Sequence, residues 1–179
     1  PHDGAPTSWS TEVDQLAAGV SGGLRQQRLV LVSAGNTDNF TFGAGNYLDR
    51  CDHEDNEIES PAQAWNVLSV GAFTEKTVLP NGDPAQALAP FGDLSPASRT
   101  ASWSSHWPNK PDVVLEGGNW ALSAMPPPMR HGWLSLLSTH HNYPVRSFTF
   151  TFDTSAATAL AAKDVTELWS DYPTLWPET

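Results

Sequence analysis

Short apolar runs, set between long polar stretches, carry the fold signal of this chain. Arg28-Leu29-Val30-Leu31-Val32-Ser33 is nearly continuous in apolar residues and stops at Ala34-Gly35-Asn36, the pattern of a strand buried on both faces of a parallel sheet. Asn66-Val67-Leu68-Ser69-Val70-Gly71-Ala72 repeats it after a helical or turn segment at residues 61–65. Strand, helix, strand is the signature of an α/β fold. Lys110-Pro111-Asp112-Val113-Val114-Leu115 predicts a third short strand, closed by Gly117-Gly118. Further on the period changes to two at Phe148, Phe150 and Phe152, which predicts another strand.

Helical spacing brackets these strands. Trp9, Val13, Leu16, Ala17 and Val20 predict an amphipathic helix over the sheet, capped by Ser8 or Ser10 and ended by Gly22-Gly23. After the Phe-alternating strand, Ala159, Ala162, Val165, Leu168 and Trp169 fall on one face of a second helix that Pro173 stops. Residues 37–63, 80–105 and 125–129 read as loops. The first holds Asp49, Asp52, Glu54, Asp55, Glu57 and Glu59, hard oxygens of the kind that bind Ca²⁺, without a regular ligand spacing, so it reads as a solvated loop.

Composition narrows the partners. A chain of 179 residues suits one domain with a real core. With 9 basic against 20 acidic residues, the net charge of -11 argues against nucleic acid or an anionic membrane, and no run approaches the roughly 18 apolar residues of a membrane span. The single cysteine, Cys51, forms no internal disulfide, which points to a reducing, cytoplasmic compartment. Cys51-Asp52-His53 and His140-His141 are too isolated to make a metal site, and neither a metal nor a cofactor is expected. Eight tryptophans beside many carboxylates suit a carbohydrate-binding module or a glycosidase, a reading from another class.

Candidate chemistry gathers at Asp153-Thr154-Ser155-Ala156-Ala157-Thr158-Ala159. Ser155 stands where a strand turns into a helix, as either a helix cap or a nucleophile whose developing charge meets free backbone amides. Asn36 follows a buried strand at its carboxyl end, where α/β folds place their sites. An Asn side-chain amide beside the nucleophile's backbone N–H suits the oxyanion of acyl transfer.

Four segments, Val32-Ser33-Ala34-Gly35-Asn36, residues 66–72, Lys110-Pro111-Asp112-Val113-Val114 and Thr154-Ser155-Ala156-Ala157-Thr158, occur in the order found in subtilisin-like serine peptidases. Leu94-Ser95-Pro96-Ala97-Ser98-Arg99-Thr100 also resembles the segment that precedes the Lys-Pro-Asp motif there. The resemblance implies a three-layer α/β fold with a mostly parallel sheet and helices on both faces. It implies a serine endopeptidase of peptide or protein substrates, from a bacterial branch, with Ser155 as nucleophile and Asn36 in the oxyanion hole. Ser33, Ala34, Gly35 and Thr154 would then bind substrate.

The chain departs from that pattern in three places. Asp153 stands where the family usually has Gly, Ala159 where it has Pro, and Glu116-Gly117-Gly118 where it has Ala-Pro-Gly. Asp153 is expected either to favour the helix start or to repel the oxyanion. The family's catalytic Asp and His both precede the oxyanion Asn, and only 35 residues precede Asn36, among which His2 and Asp3 lack the family's motif context. The expectation is therefore a single partial domain over 1–179, the oxyanion and nucleophile half, whose missing amino-terminal half supplies the base. A non-catalytic scaffold is the alternative. Such a half-domain leaves an open sheet edge, so self-association is expected.

Overall fold

The computed structural model describes residues 4–20, 26–37, 47–51, 53–101, 103, 107–124 and 127–175. Its centre is a parallel sheet of three strands, β1 (Leu31–Ser33), β2 (Leu68–Phe73) and β4 (Val113–Glu116), in the order β1-β2-β4. Leu31 pairs with Leu68 and Val70 with Val113. All three apolar runs predicted from the sequence are present, each a little shorter than its run. The fold is a mixed α/β one, with a parallel sheet and helices, as expected of a subtilisin-like chain.

Helix α3 (Asp153–Asp171) lies along one face of this sheet. Ala157 and Ala161 pack with Val70 and Ala72, flanked by Leu31 and Leu115. The buried positions of α3 are Asp153, Thr154, Ala156, Ala157 and Ala161, not the face predicted from Ala159, Ala162, Leu168 and Trp169, which are exposed. Small side chains let the helix approach the strands closely, whereas the larger residues lie on the final turns, where they stay exposed. The opposite face of β1 is covered by loops, with Ala34 packed among Ile58, Ala62 and Trp103, and Val32 alongside.

Helix α1 (Ser8–Ala17) is present, but its cap is Thr7, whose hydroxyl accepts from the Ser10 amide at 3.3 Å. The helix ends at Ala17, before the predicted Gly22-Gly23, which lie outside the described residues; Gly19, at φ 72°, turns the chain out of the helix instead. Only Ser10 and Ala17 of the helix are buried, and Trp9 and Leu16 are exposed, so its apolar stripe does not cover the sheet. It docks through Asp14, whose carboxylate accepts from the amides of Trp65 and Asn66 at 3.1 and 2.6 Å.

Between β1 and β2 the chain forms α2 (Tyr47–Cys51) and a 3-10 turn at Glu54–Asn56. Tyr47 and Cys51 belong to a second apolar cluster with Leu88, Ala89, Ala97 and Trp120. Burial, and then the neighbouring Asp93 carboxylate that its hydroxyl contacts at 3.2 Å, push the Tyr47 phenol well above its ordinary range. The strands β3 (Gln86–Ala87), β5 (Trp120–Leu122) and β6 (Met129–Arg130) form a small antiparallel sheet. The Phe-alternating strand is β8 (Phe148–Thr151), paired antiparallel with β7 (Leu136–Thr139) as a hairpin that feeds directly into α3.

Candidate active site

The amino end of α3 is seated at the carboxyl ends of the parallel strands. Gly117, just past β4, accepts the Asp153 amide at 2.7 Å. A Cβ on Gly117 would lie 2.4 Å from the Ala72 Cβ and 2.9 Å from the Asp153 carbonyl oxygen, so only glycine permits this closeness. Glu116-Gly117-Gly118, which departs from the family's Ala-Pro-Gly, forms a tight turn. The Glu116 carboxylate accepts from the amides of Gly118 and Glu75, both at 2.7 Å.

Asn36 reaches the same place from the end of β1. Its segment is clamped to the serine-rich stretch: Thr37 donates to Ala97 O at 2.9 Å and Arg99 N to Gly35 O at 3.2 Å. That stretch in turn follows the end of β2, with Ala72 N donating to Ser98 Oγ at 2.9 Å and Ser95 N to Ala72 O at 2.9 Å. The Asn36 side-chain oxygen accepts from Thr154 N at 3.1 Å and Thr154 Oγ1 at 2.7 Å. A backbone N–H only donates, so this contact identifies Oδ1 and leaves the two Nδ2 donors on the other side of the amide. Thr154 is fully buried, which makes it the holder of Asn36.

Ser155 is exposed while its neighbours Thr154 and Ala156 are buried. Its hydroxyl has no hydrogen-bond partner among the described residues, so the side chain is not a helix cap. As the third residue of α3, its amide has no carbonyl one helical turn back to bond. An exposed hydroxyl, a free amide in the first turn of a helix and an oriented carboxamide are thus gathered within two residues. These are the groups that acyl transfer uses for attack and for stabilising the tetrahedral oxyanion.

The residues expected to bind substrate are placed unequally. Ser33 is half-buried at the end of β1. Ala34 turns its methyl into the core beside Ile58 and Trp103, which leaves its backbone alone to face a ligand. Gly35 has φ +94°, and the Arg99 side chain lies across it, 2.9 Å from where a Cβ would be. Arg99 also donates to Asn36 O at 2.9 Å, to Asp55 O at 3.0 Å and to Glu57 O at 2.8 Å, and pairs with Glu59 at 3.3 Å. It binds the acidic loop to the Asn36 backbone, a role that the sequence did not announce.

Other candidates lie apart. Cys51 is buried, and His53 is exposed, its Nδ1 accepting from the Asp55 amide at 3.2 Å. Asp52 lies outside the described residues. His140 and His141 stack with ring centres 4.2 Å apart on the hairpin turn. Among the described residues no three His, Cys, Asp or Glu side chains gather as metal ligands, and no helix is long and apolar enough to cross a membrane. His2 and Asp3 lie outside the described residues. Trp103 and Trp120 are buried and Trp9, Trp65 and Trp133 exposed.

Asp153 lies in the first turn of α3, where a carboxylate favours the helix start. Its backbone is left-handed at φ 69°, a conformation that glycine adopts freely and Asp tolerates. Its buried carboxylate pairs with Arg130. Nothing in the sequence joins residues 130 and 153, since they meet only when the small antiparallel sheet folds against the start of α3.

A family model described as the subtilase family matches residues 1–179. No curated protein and no solved structure matches the chain.

Proposed function

Since the chain belongs to the subtilase family of serine peptidases, we propose that Ser155 is the nucleophile of an endopeptidase and that Asn36 and the Ser155 amide bind the oxyanion. The observation that carries this reading is the double donation from Thr154 to Asn36 Oδ1, which orients the carboxamide beside an exposed serine. Attack by Ser155 Oγ on a peptide carbonyl forms a tetrahedral adduct. Its oxygen gains charge where the Asn36 Nδ2 and Ser155 N–H donors converge; the general base takes the Ser155 hydroxyl proton and passes it to the leaving nitrogen, and collapse breaks the C–N bond, expels the amine and leaves an acyl-enzyme. The backbone of residues 33–35 lies beside Asn36 and suits the substrate residue before the scissile bond.

The general base belongs, in this reading, to sequence amino-terminal to the chain, because His2 and Asp3 sit outside the family's Asp and His motifs. The longer protein that contains this chain should be labelled by a fluorophosphonate probe at Ser155, with labelling lost in Ser155→Ala. Absence of labelling in the wild type would leave the non-catalytic scaffold as the better account. The 179-residue chain alone is expected to hydrolyse casein little or not at all, and robust hydrolysis would place the base within it.

A further inference from the structure

Among the described residues Asp153 is the one non-glycine with a left-handed backbone, and it stands two positions before Ser155. Its side chain is 6% exposed. A lone carboxylate there would be costly to bury, and its charge would oppose the charge developing at the oxyanion. Arg130 meets it with a charge-assisted pair. The guanidinium carbon lies 5.4 Å from the ring centre of Trp120 and 5.3 Å from that of Phe152. Two aromatic rings therefore brace the cation, one from β5, the other from the residue that caps α3. Trp120 and Arg130 are register partners across β5 and β6, so the small antiparallel sheet delivers the cation to the start of the helix.

We propose that Arg130 is a positioning residue for Ser155: held by Trp120 and Phe152, it neutralises the buried Asp153 carboxylate and fixes the left-handed turn that sets the Ser155 amide toward the oxyanion. The proposal rests on the reading of Ser155 as nucleophile. It also accounts for a site that keeps Asp where glycine is usual, since the charge is cancelled locally and the turn gains a side-chain anchor that glycine lacks.

The test is steady-state hydrolysis of a peptide substrate by the longer protein that contains this chain. In Arg130→Met the Asp153 charge is no longer met by the guanidinium and acts against the transition state, so kcat falls roughly tenfold or more while KM stays within about twofold. Adding Asp153→Gly removes the charge and supplies a residue at ease with positive φ, so Arg130→Met/Asp153→Gly recovers most of the lost kcat. An unchanged kcat in Arg130→Met, or a double variant no better than the single one, overturns the proposal. A Tm of Arg130→Met close to the wild-type value, read beside its lowered kcat, separates the loss from misfolding, and a kcat loss that only tracks a collapsed Tm overturns the proposal. Hydrolysis that survives Ser155→Ala overturns the nucleophile assignment and this proposal together. Hydrolysis that Ser155→Ala abolishes but Arg130→Met leaves intact overturns this proposal alone.

Discussion

Thr154 gives both its backbone amide and its hydroxyl to the side-chain oxygen of Asn36, at 3.1 and 2.7 Å, across 118 positions of chain. The residue before Ser155, the proposed nucleophile, thereby aims the carboxamide proposed to stabilise the oxyanion. Asn36→Leu keeps similar bulk but removes the donor, and kcat in the longer protein should fall about 10²- to 10³-fold with little change in KM. Thr154→Val keeps the amide donor and loses the hydroxyl, so its loss should be smaller, roughly tenfold. Steady-state kinetics on both variants checks the order; a Thr154→Val loss exceeding that of Asn36→Leu would contradict it.

Gly117 is where the helix start presses on the sheet. A methyl group there meets the Ala72 Cβ and the Asp153 carbonyl oxygen, neither of which is a flexible chain end. Gly117→Ala should cost about 2 kcal/mol and lower Tm by roughly 4–8 °C. Differential scanning calorimetry on the 179-residue chain reads this directly, and an unchanged Tm would mean that α3 can retreat freely.

Tyr47 links stability to alkaline pH. Its phenol ionises higher in the folded chain than its ordinary value of 10.0, first because it is buried and then because Asp93 lies beside it. The folded state therefore holds this proton more tightly than the unfolded state. The contribution is complete below about pH 10 and is lost as pH rises from there through the folded pKa. Urea titrations at increasing pH should show stability falling above pH 10, with a shallower slope in Tyr47→Phe. Equal slopes would exclude the phenol as the cause.

Strand β1 pairs only with β2 among the described residues, so no described strand takes up the backbone groups of its outer edge. Light scattering on the 179-residue chain should show a mass that grows with concentration. A Ser33→Pro variant, which removes a donor from that edge strand, should shift the distribution toward monomer. A clean monomer at all concentrations would refute edge pairing.

The parallel strands were legible because burial on both faces leaves near-continuous apolar runs, and Asn36 was legible because it follows one of them directly. The core face of α3 was misread for a physical reason. Periodicity weights large side chains, but this helix meets the sheet through Ala157 and Ala161, where smallness is what the packing requires. The cap of α1 was placed at Ser8 or Ser10 rather than Thr7 because all three are competent caps. Arg99 and Arg130 escaped notice because a lone arginine in a loop carries no periodic signal, and their partners, Asn36 and Asp153, lie far away in the chain. The left-handed turn at Asp153 was hidden by its residue type, since glycine is what ordinarily announces such a backbone.

The seating of α3 has a bearing on when the chain becomes reactive. Asn36 follows β1, Ala72 lies in β2 and Gly117 follows β4, so three strand ends must be in register before the helix has a seat. All three are synthesised before residue 155 leaves the ribosome. The serine is thus the last of these groups to join, and a shorter nascent chain carries Asn36 and its seat before the hydroxyl proposed to react there exists.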